Sequence, residues 1–126
     1  MFFSKKNTAP KFQWNYIHSI ETFNFLLEKS SEKPLVIFKH STRCPISTMA
    51  LDRFSEMALD IAAESNLVMI DVIADRNISL YVAEHLGVTH QSPQVLIVQN
   101  KKAIFDNSHN GINGKEVFNI LQTKKG

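Results

Sequence analysis

Leu35-Val36-Ile37-Phe38-Lys39-His40-Ser41-Thr42-Arg43-Cys44-Pro45-Ile46-Ser47 is the stretch from which the fold is read. Its first four residues are apolar and rich in β-branching, follow Pro34, and read as a buried strand. His40-Ser41-Thr42-Arg43 reads as a short polar turn. Beyond it, Ile46, Met49, Ala50, Phe54, Met57, Ala58, Ile61 and Ala62 recur at three- and four-residue steps, the apolar stripe of an amphipathic helix. Cys44, the only cysteine of the chain, therefore lies where a strand passes into a helix.

Pro45 suits the first helical position because its missing N–H would find no partner there, which makes Cys44 the expected N-cap. The sulfur is then expected to face the open backbone N–H groups of residues 46 and 47. Those donors and the positive end of the helix dipole favour thiolate, the nucleophilic form. Ser47 stands where paired-thiol redox proteins carry the second cysteine of Cys-x-x-Cys. It can offer a hydroxyl hydrogen bond to the sulfur but no disulfide, so resolution must come from another molecule. Arg43, permanently charged, is the stronger electrostatic aid near neutral pH, and His40 contributes only when protonated. Against these readings stand a buried inert cysteine and two solvated turn residues.

With 126 residues, 44% hydrophobic and 21% charged, the chain has the make-up of one soluble globular domain. We place its core at about residues 14–123, with 1–13 as an N-terminal extension. A net charge of +2 gives no argument for nucleic acid, and the short clusters Lys5-Lys6 and Lys124-Lys125 read as solvated termini. Met1 to Lys6 holds no sustained apolar run, so neither a secretory signal nor a membrane span is expected, and the expected location is cytoplasmic. A lone reactive thiol is kept usable in such a reducing compartment.

Elsewhere the pattern alternates. Trp14 to Ile17 reads as a first strand, Ser19-Ile20-Glu21-Thr22 as a helix start with Phe23, Leu26 and Leu27 on its apolar face, and Leu67 to Ile73 as a second inner strand. Asn77 is the expected cap of a helix carrying Leu80, Tyr81, Ala83, Glu84 and Leu86 and closed by Gly87. Val95 to Val98 and Ala103-Ile104-Phe105 form an antiparallel hairpin across Asn100-Lys101-Lys102, and Gly114 to Leu121 is a last helix with Val117, Ile120 and Leu121 facing inward. The order β-α-β-α-β-β-α predicts an α/β, thioredoxin-like fold: a central mixed β-sheet flanked by helices. Pro93, in Gln91-Ser92-Pro93-Gln94 ahead of a strongly apolar strand, sits where that topology places a cis-proline facing the active cysteine. The Ser92 backbone would then be open to an extended substrate segment.

Lys39 to Ser47, His90-Gln91-Ser92-Pro93-Gln94, Ile97-Val98-Gln99-Asn100 and the Ser108-His109 pair together resemble the monothiol bacilliredoxin family over about residues 18 to 121. The resemblance implies a thiol–disulfide oxidoreductase acting on mixed disulfides between proteins and bacillithiol. Cys44 would be the nucleophile, Ser47 would hold the resolving position and Pro93 would be the cis-proline. Arg43, Pro45, Ser92, His40 and His90 are the candidate contacts to the co-substrate. No tightly bound cofactor or metal is expected, with bacillithiol as co-substrate, bacillithiolated proteins as partners, and a monomer without membrane or nucleic-acid contacts. His109 and Gln94 could border the pocket or complete internal hydrogen bonds, and Asp71 reads as a strand-end or hydrogen-bonded carboxylate. Two other classes stay open: a glutaredoxin-like iron–sulfur carrier, although such relatives carry glycine where Pro45 stands, and a non-catalytic binding module using the groove beside Pro93.

Overall fold

The centre of the molecule is a strand buried along its whole length, β2 (Leu35–His40). In the computed structural model, which describes residues 12–125 and side chains through residue 123, β2 pairs in parallel with β3 (Asn66–Asp71) and antiparallel with β4 (Gln94–Gln99). The two-residue strand β1 (Asn15–Tyr16) adds in parallel to β3, and β5 (Lys102–Ser108) closes the other edge antiparallel to β4, giving the order β1-β3-β2-β4-β5. Side chains alternate across β2, so one strand feeds two cores. Val36 and Phe38 pack with Phe54, Ile61, Val117 and Leu121, whereas Leu35 and Ile37 pack with Phe23, Leu27, Ile78 and Val82. This is a thioredoxin fold in a single domain. The strand runs further than its apolar run: His40, read as the start of the polar turn, pairs with Asp71 and is buried. β2 is paired on both sides through Lys39 and on the β3 side through His40.

The helices are α1 (Ile20–Lys29), α2 (Pro45–Ser55), α3 (Ala58–Glu64), α4 (Arg76–Leu86) and α5 (Gly114–Lys125), and a 3₁₀ turn (His109–Gly111) precedes α5. The single stripe read from 46 to 62 is two helices. Glu56 and Met57 donate to the carbonyls three residues back, at 3.4 and 3.0 Å, and the chain restarts from Met57 as N-cap. Gly114 enters α5 against this break, where an added Cβ would lie 2.9 Å from Met57 Cβ and 3.1 Å from Phe54 O, so only glycine allows the approach. The buried face of the pair is Ser47, Ala50, Phe54, Ala58 and Ile61, which turns Ile46 and Met49 outward (51% and 61% exposed). Two overlapping stripes share Ala50, Phe54, Ala58 and Ile61, with the Phe54 and Phe38 ring centroids 5.1 Å apart, and the one that buries Ser47 prevails.

Ser19 caps α1, its Oγ accepting from Thr22 N at 3.1 Å, as its sequence predicts. α4 begins one residue before Asn77, and Asp75 is its N-cap. The Asp75 carboxylate makes no cap bond because Oδ2 lies 2.9 Å from His18 Nδ1. The inward face of α4 is Ile78, Ser79, Val82 and Ala83, while Leu80 points to solvent. Gly87 ends the helix at φ 69, and the Asn100-Lys101 hairpin turn has both residues at positive φ (52 and 67), the geometry of a type I′ turn. β3 stops at Asp71, short of Ile73, because Asp71 Oδ1 accepts from the N–H groups of Ile73 and Ala74 and turns the chain. The Met1 to Lys6 reading and most of the 1–13 extension lie outside the described residues, as do the side chains of Lys124 and Lys125. Trp14, the only tryptophan, packs its ring against Phe12, Phe38 and Phe54.

Phe54→Ala removes the side chain that joins these rings, and the expected loss is about 3–5 kcal/mol of unfolding free energy. Urea unfolding followed by Trp14 fluorescence measures it. A loss under about 1 kcal/mol would show that this core is not keyed by Phe54.

Candidate active site

β1, β2 and β3 run parallel and end at one edge of the sheet, and β4, running the other way, begins there. Cys44 follows the end of β2. Pro93 immediately precedes Gln94, whose register partner on β2 is Lys39, so cysteine and proline come to the same edge. The Ser92–Pro93 peptide is cis and Pro93 is buried.

Cys44 is half-buried and is the N-cap of α2, with Pro45 at the first helical position. The cap is made by its backbone, whose carbonyl accepts from Thr48 N at 3.1 Å. The sulfur makes no cap hydrogen bond, contrary to the expected contact with the N–H groups of 46 and 47. Sulfur is only a weak hydrogen-bond acceptor. Ser47 also departs from expectation. It is fully buried, its Oγ accepts from Ser41 N at 3.0 Å and lies 2.7 Å from His40 Nδ1, so the hydroxyl is turned toward the strand end.

His40 is thus a buried partner of the α2 N-terminus, whereas Arg43 is exposed in the turn. Burial pushes the His40 imidazole below its ordinary value, with Asp71 and Asp52 partly opposing, so the ring is neutral at pH 7. On the opposite face of β2, Lys39 is fully buried (0% exposed). Its Nζ donates to Ser79 O at 3.0 Å and lies 3.2 Å from His90 Nδ1, which is also 3.3 Å from Ser79 Oγ. Burial lowers Lys39 to about 8. His90 is lowered first by burial and then by the charges of Lys39 and Arg76, so it meets the ammonium as a neutral acceptor. Sequence reasoning assigned no individual role to Lys39. Its one signal was a charged residue directly continuing a buried apolar run.

Gln94 completes the internal network: Oε1 accepts from Gln91 N and Nε2 donates to Thr89 O. His109 lies beside Pro93, donating its N–H to the Pro93 carbonyl at 3.1 Å. Arg53, which sequence reasoning did not single out, reaches from α2 to the carbonyls of His109 (3.1 Å) and Ile112 (3.4 Å). Ser92 Oγ is buried with no hydrogen-bond partner. Cys44 itself stands on an open rim beside the exposed Ile46 and Met49. A groove of about 1100 Å³ between α2 and α5, lined by Arg53, Met57, Asn113 and Lys115, and a cleft of about 450 Å³ lined by Tyr16, Phe25, Leu26 and Asn66, both lie away from it.

A thioredoxin sheet that sets one half-buried cysteine at a proline-started helix, at the edge where Pro93 lies, defines a thiol-redox protein. Solved structures agree on the fold. One thioredoxin-fold structure, for which oxidoreductase activity is inferred, is 27% identical, with 86% of this chain and 92% of that one covered at a TM-score of 0.73. The thioredoxin of Malassezia sympodialis (15% identity, 94% and 96% covered, TM-score 0.69) and thioredoxin NaTrxh of Nicotiana alata (18%, 92% and 96%, 0.68) share the fold. The family described as monothiol bacilliredoxin BrxC matches residues 15–117, and the chain belongs to it.

Lys39 also makes a prediction for stability. Its folded value, about 8, lies below the ordinary 10.5, so between these pH values the unfolded chain binds more protons and stability rises with pH. Thermal melts of the wild type and Lys39→Met are expected to differ by an amount that shifts in favour of the wild type from pH 8 to 10.5. A pH-independent difference would show that Lys39 is not held in a desolvating site.

Proposed function

We propose that this protein reduces mixed disulfides between bacillithiol and protein thiols, with Cys44 as the nucleophile. The observation that carries this reading is the combination of a single cysteine at the helix start with a buried, engaged serine in the resolving position. Cys44 thiolate attacks the bacillithiol sulfur of the mixed disulfide. The S–S bond breaks, the protein leaves as thiolate, and Cys44 is left bonded to bacillithiol. A second bacillithiol thiolate attacks the bacillithiol sulfur of that adduct, giving bacillithiol disulfide and restoring Cys44. With no second thiol in the chain, the enzyme borrows its resolving sulfur from the small thiol. In this reading the candidate contacts to the co-substrate are Arg43, Pro45, Ser92, His40 and His90, of which Arg43 and Pro45 are exposed next to Cys44, and the exposed Ile46 and Met49 leave room for a folded protein. In this reading it works as a cytoplasmic monomer and carries no tightly bound cofactor.

Incubating a bacillithiolated protein with bacillithiol and enzyme is expected to release the protein thiol with the wild type, and only at the uncatalysed rate with Cys44→Ala. Intact mass after exposure to bacillithiol disulfide should show one adduct on Cys44, forming faster than the adduct from glutathione disulfide. Equal release by both proteins would refute Cys44 as the nucleophile, and equal adduct formation from both disulfides would refute the preference for bacillithiol.

A further inference from the structure

We propose that His40 is a positioning residue for Cys44 acting through Ser47: it determines whether the Ser47 hydroxyl proton points into the strand or toward the sulfur, and so couples the charge on the imidazole to the charge on the thiol. The inference rests on Cys44 being the reacting thiol and is independent of which small thiol it exchanges with.

The argument is one of donors and acceptors. A serine hydroxyl has one proton and two lone pairs. Ser41 N–H occupies one lone pair at 3.0 Å, and Ser47 is fully buried, so its proton needs an internal acceptor. His40 Nδ1, 2.7 Å away, is that acceptor when the imidazole is neutral and carries its proton on Nε2. Protonating His40 places a hydrogen on Nδ1 and reverses the bond. The Ser47 oxygen then accepts from both Ser41 N–H and His40, both lone pairs are filled, and its own proton must turn elsewhere.

Cys44 and Ser47 are the N-cap and the third residue of α2, one helical turn apart. Cys44 Sγ makes no cap bond in this structure, and a thiolate there is the acceptor that gains most from a hydroxyl donor. Imidazolium and thiolate therefore support one another through one hydroxyl, while neutral imidazole withdraws that donor. The groups around His40 fit this assignment. Asp71 faces it from β3 with Oδ1 already accepting from the Ile73 and Ala74 N–H groups, Asp52 faces it from α2, and Arg43 and Cys44 lie in the adjoining turn. Lys39, next in sequence, points to the other face of the sheet toward Ser79 and His90. The two carboxylates favour the imidazolium and burial opposes it more strongly, so the switch is poised on the acid side of neutrality.

Two measurements on the full chain test the coupling, and neither requires bacillithiol. The first is the rate of Cys44 alkylation by iodoacetamide against pH. A single thiol ionisation makes the rate fall tenfold per pH unit on the acid limb. The wild type is expected to show a shoulder below pH 6.5 that is absent in Ser47→Ala and in His40→Gln. The second is the NMR titration of the His40 ring in the wild type and in Cys44→Ala, which leaves the buried pair untouched. Because coupling is reciprocal, removing the thiol is expected to lower the His40 protonation constant at least threefold. The neutral ring should carry its proton on Nε2. A wild-type acid limb with no shoulder, a shoulder that survives in Ser47→Ala, or an unchanged His40 titration in Cys44→Ala would overturn the proposal. A wild type that passes these tests yet shows no preference for bacillithiol disulfide would refute the co-substrate and leave the coupling standing.

Discussion

Burial of β2 on both faces places a demand on its last two residues that organises the whole sheet edge. Lys39 and His40 carry polar groups into a region closed to water, where an unmet donor or acceptor costs on the order of 1–3 kcal/mol. Strand alternation sends them to opposite faces, and each draws its partners from a different helix. Lys39 takes the Ser79 carbonyl of α4 and the imidazole of His90. His40 takes the Ser47 hydroxyl of α2. The strand end is thereby joined to both layers of the fold. Cys44 emerges from a turn whose two flanks are pinned, Ser41 by its N–H on Ser47 and Ser47 by His40.

This arrangement changes the meaning of the serine. In a Cys-x-x-Cys motif the fourth position must approach the first, since the two sulfurs bond. Here the side chain in that position is committed to the interior, and its oxygen forms the link between strand and helix. The site has no second sulfur for intramolecular resolution and gains a fixed helix start, which holds the lone sulfur in place. The buried side chain also explains why Ile46 and Met49 are outward: once Ser47 faces the strand, helical geometry turns its neighbours at 46 and 49 to the rim.

Much of this was legible in the sequence. The strand before Cys44, the Pro45 helix start, the hairpin at Asn100-Lys101, the Ser19 cap and the Gly87 stop all follow from local chemistry, and the alternation of elements led to the right sheet. What was not legible depends on distant partners. Periodicity could not choose between the stripe containing Ile46 and Met49 and the one containing Ser47, because Ala50, Phe54, Ala58 and Ile61 serve both. The choice is made by Ser47, whose hydroxyl oxygen takes the Ser41 N–H and lies against His40 Nδ1 at the end of β2. Nor could it show that His40 belongs to the strand, since that follows from its pairing with Asp71, or that Asp75 rather than Asn77 caps α4 while its carboxylate is drawn off by His18.

Arg53 was invisible for the same reason, and it accounts for how Pro93 and Cys44 keep a common frame without a covalent link. Pro93 enters β4 from a loop, and a loop alone would not hold it in register with the cysteine. Its carbonyl, however, accepts from His109 N, and the His109 carbonyl accepts from Arg53, which stands on the same helix that Cys44 begins. The close approach of Gly114 to Phe54 and Met57 fastens the far side of that connection to the end of α2. The result is a closed circuit of hydrogen bonds and packing from Cys44 along α2 to Arg53, through His109 to Pro93, and back across the Gln94–Lys39 register to the strand that leads to Cys44. The links from Pro93 to His109 and from His109 to Arg53 are one hydrogen bond each, so the rigidity of α2 up to its break at Glu56 sets how accurately the sulfur and the proline are aligned.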